Sequence, residues 1–203
     1  MEKDLEKRKP IKIVFVGPES TGKTTLAKLL AKHFNTTWAR EFLREFAEWK
    51  LLQNDKTITF SDQKTIIEGQ IDLEKEAESK ANTFVFCDTN WLQTQIYSEL
   101  YFGKIPEYLE NISDECDLYI LTDIDVEWEK DHVRDAPFER ENHIKYFKKR
   151  LTELKKPFLF ISGNEKERLN KVVNWCIELK KTFDNGLSVE DFIKKQKSKP
   201  TQK

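Results

Sequence analysis

Apolar residues occur along this chain in two kinds of segment: short continuous runs, and longer stretches in which they recur every three or four positions. The short runs are typical of strands that a parallel sheet buries on both faces, and the longer period is typical of amphipathic helices. Because the two kinds alternate, the pattern predicts a doubly wound α/β sandwich with right-handed crossovers, although it does not determine the strand order. The predicted strands are residues 13–16, 36–39, 83–88, 117–123 and 157–163, and the predicted helices are a stripe of Leu26, Leu29, Leu30 and Phe34 followed by 40–52, 63–80, 91–100, 139–154 and 165–179.

The turn after the first predicted strand carries the strongest chemical signal. Residues 17–24 read GPESTGKT and fit G-x-x-x-x-G-K-[ST], the P-loop pattern that joins a strand to a helix. Gly17 and Gly22 permit close backbone approach, so that consecutive N–H groups and the helix N-terminus can surround phosphate oxygens. Lys23 is expected to reach the β- and γ-phosphates of ATP, and the Thr24 hydroxyl to bind Mg²⁺. The other expected nucleotide contacts are Glu19, Ser20, Thr21 and Thr25.

Composition limits the class of protein further. With 203 residues the chain is long enough for one domain that buries about 70% of its unfolded surface. The 35 basic and 36 acidic residues give a net charge of -1, which favours neither a nucleic-acid partner nor a membrane partner. No apolar run approaches the ~20 residues of a transmembrane helix, and the N-terminus lacks the apolar part of a signal peptide, so we expect a cytoplasmic protein. The three distant cysteines argue against a disulfide framework.

A carboxylate ends the third predicted strand. An aspartate at the carboxyl end of a strand beside the P-loop would lie close to Mg²⁺ and the γ-phosphate, where it can hold a metal-bound water or accept a proton from an attacking hydroxyl. Asp88 has this position. The alternative is a simple strand-end or helix-capping aspartate, because Thr89 and Asn90 open the next helical pattern.

Residues 123–140 are dense in charge and have no clear apolar period, and loops of this length tend to be functional. Arg134 and Arg140 can offer planar, permanently charged donors to a transferring phosphoryl group, and a closing lid would exclude water. A plain surface loop is the alternative. A P-loop, Asp88 and an arginine-bearing lid favour a metabolite kinase over a GTPase, which should carry an Asn-Lys-x-Asp-type guanine motif where this chain reads TDID at 122–125.

These observations predict a P-loop NTPase three-layer sandwich with a five-stranded, mainly parallel sheet. We divide the chain into a charged leader (1–10), a P-loop kinase domain (11–182) with a lid near 124–140, and a lysine-rich tail (183–203). Residues 194–203 are expected to be disordered because they are polar and lysine-rich. Before them, a short amphipathic helix is predicted from Val189, Phe192 and Ile193. The oligomeric state does not follow from the sequence.

Two helices carry polar residues that can face an acceptor substrate. In the helix 40–52, Glu41, Arg44 and Glu45 share one side, and this helix begins beyond a strand end, where open α/β sheets bind ligands. A solvated helix face is the alternative. In the helix 63–80, Gln70 and Glu74 lie one turn apart within an apolar stripe, so they either face a ligand or flank the core contact.

Several segments together resemble the nicotinamide riboside kinase domain of NadR-type proteins. The resemblance covers residues 11–179 and implies ATP-dependent phosphorylation of the 5′-hydroxyl of nicotinamide riboside to nicotinamide mononucleotide, by a stand-alone form of the kinase. One position departs from the family pattern, since Arg40 stands where that pattern has a proline, and Arg40 is not assigned a role. The matching segments are GPESTGKTTLA, Trp38-x-x-Glu41-x-x-Arg44-Glu45, Asp62 with Gln70 and Glu74, Cys87-Asp88-Thr89-Asn90, and residues 123–140.

The resemblance implies a role for residues at two substrate sites. Lys23 and Thr24 would hold phosphates and Mg²⁺, and Asp88 would orient or deprotonate the 5′-hydroxyl and share in binding the metal. Arg134 and Arg140 would stabilise charge on the transferring group. Asn164 would lie near adenine, Trp38 would stack on the cationic pyridinium ring, and Glu41, Glu45 and Glu74 would tolerate its charge. The implied acceptor set is Trp38, Glu41, Arg44, Glu45, Gln70, Glu74, Asp88 and Thr89.

Two other functions stay open at this level. The first is a kinase on the same fold for another small acceptor, such as a nucleoside, a nucleotide or a vitamin precursor. The second is a regulatory NTPase whose slow hydrolysis switches a partner protein through residues 123–140. A panel of acceptors with ADP detection separates them, because a regulatory module predicts little acceptor-stimulated turnover.

Overall fold

Five parallel strands form the centre of the computed structural model, which describes residues 9–53, 58–113, 115–128 and 139–199. The strand order is β2-β3-β1-β4-β5, so the P-loop strand β1 is central. Its neighbours β3 and β4 both run parallel to it. The strands are β1 (Ile11–Val16), β2 (Thr37–Ala39), β3 (Phe84–Asp88), β4 (Leu118–Thr122) and β5 (Phe158–Ile161).

Helices follow the strands as the apolar periodicity predicts. Short 3-10 helices, Phe60–Asp62 and Glu107–Asn111, precede α3 and follow α4. In the described part of the chain, no helix combines the length and the apolar character that crossing a bilayer requires. The α-helices are α1 (Lys23–His33), α2 (Phe42–Leu52), α3 (Gln63–Lys80), α4 (Trp91–Phe102), α5 (Arg140–Glu153), α6 (Glu165–Asp184) and α7 (Val189–Ser198).

Each face of the sheet is covered by its own apolar cluster, which makes the molecule a three-layer sandwich. Alternate β1 residues serve the two clusters: Ile13 and Phe15 pack with α1 and α6, whereas Val14 and Val16 pack with α3, α4 and α5. Both sets are fully buried. This burial on both faces explains why the strands read as continuous apolar runs, and it confirms the predicted α/β class.

The C-terminal prediction was partly wrong. Disorder was expected from residue 194, but α7 continues to Ser198. The Ser188 hydroxyl and the Asp191 carboxylate form a capping box at its N-terminus, and Phe192 is buried against the cluster that includes α6. Gln196 also donates to Glu178 of α6 at 2.7 Å. Capping and docking onto α6 therefore outweigh the lysine-rich composition that favours disorder.

The register of the central strands brings the P-loop and Asp88 together. Phe15 of β1 pairs with Asp88 of β3, so the carboxylate emerges at the same sheet edge as the turn that follows β1. The backbone N–H of Thr89 then donates to the carbonyl of Phe15 at 3.1 Å. Because the strands are parallel, their carboxyl ends form one edge, as the motif analysis assumed.

Two of the expected segments lie mostly outside the described residues. The structure describes the predicted lid only at 124–128 and 139–140, and the predicted leader only at residues 9 and 10. The closing movement of the lid and the division of the chain into leader, kinase domain and tail therefore stay predictions.

Candidate functional site

The P-loop adopts the backbone geometry that its two glycines permit. Gly17 has φ 138° and Gly22 has φ 79°, torsions that residues with a Cβ adopt rarely. A Cβ on Gly17 would also lie 2.8 Å from the Thr122 hydroxyl of β4. Gly22 precedes α1, whose first N–H groups therefore open towards the loop.

Lys23 is buried at the start of α1. Its ammonium donates to the carbonyls of Gly17 at 2.9 Å and Pro18 at 2.7 Å, so it lies within the curve of the loop. Only 7% of the residue is exposed. An ammonium held there can exchange these carbonyls for phosphate oxygens, which is the geometry expected of a P-loop lysine.

Asp88 and Thr24 meet beside the loop. The Thr24 hydroxyl donates to Asp88 Oδ2 at 2.5 Å, and Asp88 is 2% exposed. Burial raises the pKa of the Asp88 carboxyl, against the opposing effects of Lys23 and the Thr24 hydrogen bond. Its second oxygen, Oδ1, is buried and has no hydrogen-bond partner among the described residues. A buried carboxylate oxygen in this state needs a proton or a cation.

This pair fits a magnesium ion that arrives with a nucleotide. Carboxylate and hydroxyl oxygens are donors that Mg²⁺ accepts, and the ion normally completes its shell with water and phosphate oxygens. Among the described residues, no group of three or more His, Cys, Asp or Glu side chains is placed to hold a metal. Thr24 and Asp88 therefore suit a metal shared with phosphate, and not a resident protein-only site.

A cavity of about 720 Å³ extends from the P-loop between the helices. We call one part the P-loop half, which includes Ser20, Thr25, Glu127, Glu165 and Arg168. The other, the α2–α4 half, has walls from α2, the start of α3, and α4. The cavity lining also includes Glu19, Lys23, Thr24, Asp88 and Gln93. The α2–α4 half is lined by Glu41, Leu43, Arg44, Ala47, Lys50, Leu51, Ile58, Gln63, Thr94, Tyr97, Tyr101 and Phe102.

Glu41 is the second carboxylate that lines the cavity near Asp88. It immediately precedes α2, in the connection that follows the end of β2. Burial, together with the carboxylate of Asp88, raises the pKa of Glu41 to about 7, while Lys23 and Arg44 oppose the shift. Two neighbouring carboxyl groups with raised pKa values are typical of proton-transfer sites.

Most of the residues expected to contact a nucleotide or an acceptor do line this cavity. They come together because parallel strand ends place the β1, β2 and β3 connections at one edge. The expected residues found on the cavity wall are Glu19, Ser20, Thr21, Gly22, Lys23, Thr24, Thr25, Glu41, Arg44 and Asp88.

Gln70 does not line the cavity, so its expected substrate contact is not seen. Its Oε1 accepts the Phe42 N–H at 2.9 Å, and its Nε2 lies 3.4 Å from the Arg40 carbonyl and 3.5 Å from that of Thr89. The side chain therefore ties the start of α2 to the end of β3. Thr89 is likewise buried and does not line the cavity, and its backbone has φ 72°. Gln70 supports the site and does not face it.

Glu74 is also placed away from the cavity. Its carboxylate pairs with the ammonium of Lys12 at 2.5 Å, and Glu78 pairs with the same ammonium at 2.8 Å. Glu74 is 3% exposed, and this burial raises the pKa of its carboxyl while Lys12 opposes the shift. The periodicity showed a polar residue within an apolar stripe, but the partner was a strand lysine and not a ligand.

We therefore expect Glu74→Ala to lower stability and to leave acceptor binding little changed. Removing one partner of a buried ion pair leaves the other charge without that partner. Because Glu78 still contacts Lys12, we expect the free energy of unfolding to fall by about 2–3 kcal/mol. Urea unfolding measures it. Glu76→Ala is the matched control on the same helix. Its pair with Lys80 is exposed, so this substitution should cause no measurable change in stability. A raised acceptor KM without loss of stability would contradict this assignment.

Two further acceptor residues lie outside the cavity lining. Trp38 packs against the apolar cluster beneath α1, and the Lys28 ammonium lies 5.1 Å from its ring centroid. Glu45 pairs with Arg40, away from the cavity. Because β2 alternates its side chains, the ring of Trp38 faces the α1 layer and does not reach the α2–α4 half. The expected stacking of Trp38 on a ligand ring is therefore not supported.

The arginines and Asn164 have mixed outcomes. Arg140 donates to the carbonyls of Ser20 at 3.1 Å and Val126 at 3.1 Å, which places its guanidinium against the P-loop. Arg134 lies outside the described residues. Asn164 caps α6 by accepting the Glu167 N–H at 3.0 Å, so its side chain is engaged locally and does not line the cavity.

The structure brings two residues to the P-loop that the sequence did not indicate. Gln93 Oε1 accepts the Gly17 N–H at 3.1 Å, which fixes the entry to the loop. Arg168 donates to the Thr21 carbonyl at 2.6 Å and pairs with Asp125, so α6 braces the loop.

Only one of these two residues could have been found from the sequence. Gln93 belongs to the first turns of the helix that follows the Asp88 strand, a position from which a side chain can reach the strand-end edge. Arg168 and Thr21 are 147 positions apart, and contacts over such a distance leave no local pattern. Arg168 could therefore be assigned to the site only from the fold.

Comparison with known proteins agrees with this geometry. Residues 12–168 match the sequence model of a family described as an AAA domain, which is most of the chain. The chain belongs to this AAA-domain family. Two curated relatives of this AAA-domain protein are the trifunctional NAD biosynthesis/regulator proteins NadR of Salmonella typhimurium and Escherichia coli, each 32% identical over 124 residues. The alignments cover 60% of this chain and 30% of each relative, so the chain spans less than a third of their length.

Solved structures show the same fold. A crystal structure of NadR in complex with NAD and AMP-PNP has a TM-score of 0.61 at 23% identity and covers 76% of this chain and 45% of that one. NadR in complex with NR has a TM-score of 0.58 at 21% identity, covering 78% and 47%. Thymidylate kinase from Ehrlichia chaffeensis has a TM-score of 0.55 at 19% identity, covering 86% and 98%. The resemblance to NadR-type proteins is thus confirmed, together with the P-loop fold.

Proposed function

We propose that this AAA-domain protein is an ATP- and Mg²⁺-dependent kinase that phosphorylates the 5′-hydroxyl of nicotinamide riboside to nicotinamide mononucleotide. The observation that carries the proposal is a cavity that joins a P-loop to a second compartment, with Asp88 and Glu41 on its lining. A phosphoryl donor and an acceptor need such a shared space. The similarity to NadR supports nicotinamide riboside as the acceptor.

The P-loop half would hold the triphosphate. The Lys23 ammonium would contact the β- and γ-phosphates, and the N–H groups at the start of α1 would face phosphate oxygens. With Mg²⁺ bound at Thr24 and Asp88, the cation would neutralise charge on the phosphates. Arg140, which contacts the Ser20 carbonyl at 3.1 Å, would donate to the transferring group.

Asp88 and Glu41 would share the handling of the acceptor hydroxyl proton. Asp88 is engaged by the Thr24 hydroxyl and suits the metal, whereas Glu41 faces the α2–α4 half. A carboxylate with a pKa of about 7 is well matched to accepting a proton near neutral pH. We therefore assign Glu41 to orienting and deprotonating the hydroxyl, with Asp88 beside it.

This assignment predicts a pH dependence. As pH rises through about 7, Glu41 loses its proton, so kcat/KM for the acceptor should rise over the same range. Glu41→Gln should lower kcat/KM by about 10–100-fold and move the rising limb to lower pH, since Asp88 no longer has a neighbouring carboxylate. Glu45→Gln, in the first turn of α2 and outside the cavity lining, is the control and should keep the wild-type profile. An unchanged limb in Glu41→Gln would refute the assignment.

A second acceptor class is favoured by one observation. Arg44 and Lys50 also line the α2–α4 half, whereas of Glu41, Glu45 and Glu74 only Glu41 does. Asp62 neutralises much of the charge of Lys50, which it contacts at 2.7 Å, but Arg44 is a permanent cation close to Glu41. A guanidinium on this wall is less suited to a pyridinium ring, and it suits an acceptor that carries phosphate. A nucleoside monophosphate kinase is therefore the second candidate.

A panel of acceptors decides between these functions. The purified protein with Mg-ATP would be given nicotinamide riboside, natural nucleosides and nucleoside monophosphates, and ADP formation would be followed by a coupled assay. We expect the largest stimulation with nicotinamide riboside. Stronger stimulation by a monophosphate would transfer the proposal to the second candidate, and no stimulation by any acceptor would favour a regulatory NTPase.

A further inference from the structure

Gln63 is a buried polar residue on the wall of the α2–α4 half that the proposed chemistry does not use. It is the first residue of α3, and 5% of it is exposed. Its amide oxygen is buried and has no hydrogen-bond partner among the described residues. An unpaired buried amide oxygen is unfavourable, so its presence on a cavity wall points to a ligand that donates to it.

The residues next to Gln63 hold it in a defined place. Asp62 Oδ2 accepts from the Lys50 ammonium at 2.7 Å, from the Thr59 N–H at 2.7 Å and from the Thr59 hydroxyl at 2.8 Å. These contacts fix the chain immediately before Gln63 and bind α2 to the start of α3. The Asp62 carboxylate also neutralises much of the charge of Lys50 at this end of the cavity. The side-chain amide of Gln63 is the uncharged polar group next to this pair.

Part of the surrounding wall is apolar. Ala47, Leu51, Ile58 and Phe102 line the same half of the cavity. In such surroundings a ring can be bound by its faces, and a single amide can select among rings by the polar groups on their edge. A missing donor on the ligand would leave the amide unpaired, which makes this contact strongly selective.

We propose that Gln63 selects the acceptor by pairing its side-chain amide with a donor–acceptor edge on a planar nitrogen heterocycle, such as a ring carboxamide. The amide oxygen accepts an N–H from this edge, and the amide nitrogen donates to the neighbouring carbonyl. The inference rests on the proposed function, because it assigns the heterocycle of the riboside to the α2–α4 half. Gln63 is thereby a specificity-determining residue, and it takes no part in phosphoryl transfer.

A double-mutant cycle between enzyme and substrate tests this. Wild type and Gln63→Met would be compared with nicotinamide riboside and with pyridinium riboside, which lacks the carboxamide. We expect Gln63→Met to lower kcat/KM for nicotinamide riboside by about tenfold or more and to leave that for pyridinium riboside nearly unchanged. The KM for ATP should not change.

Gln95→Met is the matched control. Gln95 lies in α4, is buried, and has an amide oxygen without a partner among the described residues, but it does not line the cavity. Its substitution should affect both ribosides equally. Thermal unfolding of both variants separates a folding defect from a loss of selectivity.

The outcomes distinguish the two proposals. Equal losses for both ribosides in Gln63→Met would overturn the role of Gln63 while leaving the kinase function intact. If wild type uses another nucleoside and not nicotinamide riboside, the riboside proposal fails, and the same cycle is run with that nucleoside and its analogue without the exocyclic amino group. A protein that no acceptor stimulates would overturn both proposals.

Discussion

Asp88→Asn is expected to lower kcat by about 10²–10⁴-fold with nicotinamide riboside and Mg-ATP. The amide keeps the shape of the side chain, but it cannot carry the negative charge that suits both Mg²⁺ and a hydroxyl proton. Because burial raises the pKa of this carboxyl, its ionised form lowers the stability of the native protein at neutral pH. The asparagine variant should therefore unfold at the same temperature as wild type or at a higher one, which excludes misfolding as the cause of lost activity.

Asp123→Asn is the matched control for this substitution. Asp123 directly follows β4, in a position similar to that of Asp88 at the end of β3. The side chain of Asp123, however, accepts the N–H of Ile124 at 2.8 Å and does not line the cavity. An asparagine oxygen can accept the same hydrogen bond. Steady-state kinetics at varied Mg²⁺ concentration should show a large loss of kcat in Asp88→Asn and none in Asp123→Asn. Near-wild-type kcat in Asp88→Asn would show that neither the metal nor the proton depends on this carboxylate.

Lys23→Ala is expected to reduce turnover by about 10³-fold, because it removes the cation that faces the phosphates. The ammonium now lies 2.9 Å from the Gly17 carbonyl and 2.7 Å from that of Pro18, inside the loop, and an alanine at this position places no charge there. Coupled ADP detection measures the rate, and calorimetric titration with ATP measures the loss of binding.

Lys32→Ala controls for the charge of α1. Lys32 lies in the last turn of the same helix and is exposed, so its removal changes the net charge equally without reaching the loop. It should leave turnover unchanged. Activity of Lys23→Ala within tenfold of wild type would contradict the phosphate-binding role, whereas its loss would not by itself identify the acceptor.

The predictions from sequence were most accurate where short-range patterns carry the information. Continuous apolar runs located four strands, a short β-prone run at 36–39 located β2, and the P-loop motif located the turn in which Gly17 and Gly22 have positive φ. Asp88 could be placed beside this turn because a parallel sheet gathers the carboxyl ends of its strands at one edge. The predictions of the P-loop turn and of the position of Asp88 therefore depend on local geometry and on one general rule of topology.

A smaller share of the expected acceptor residues than of the expected P-loop residues lines the cavity, for a physical reason. A polar residue within an apolar stripe is compatible with a ligand, a buried ion pair or a structural hydrogen bond, and helical periodicity does not separate these. Glu74 pairs with Lys12, and Gln70 binds backbone groups of α2 and β3. Gln63 lies on the cavity wall instead, although nothing in its local sequence distinguishes it from neighbouring polar residues.

The sequence by itself determined the α/β class, the phosphate-binding turn and the strand-end carboxylate, since each depends on residues close together in the chain. The tertiary structure alone decided which polar side chains face the cavity, because that depends on contacts between distant segments. Arg168 reaches Thr21 across 147 positions, and Trp38 turns into the α1 layer through the alternation of β2. Packing between elements, and not local propensity, therefore selects the residues that line the α2–α4 half of the cavity.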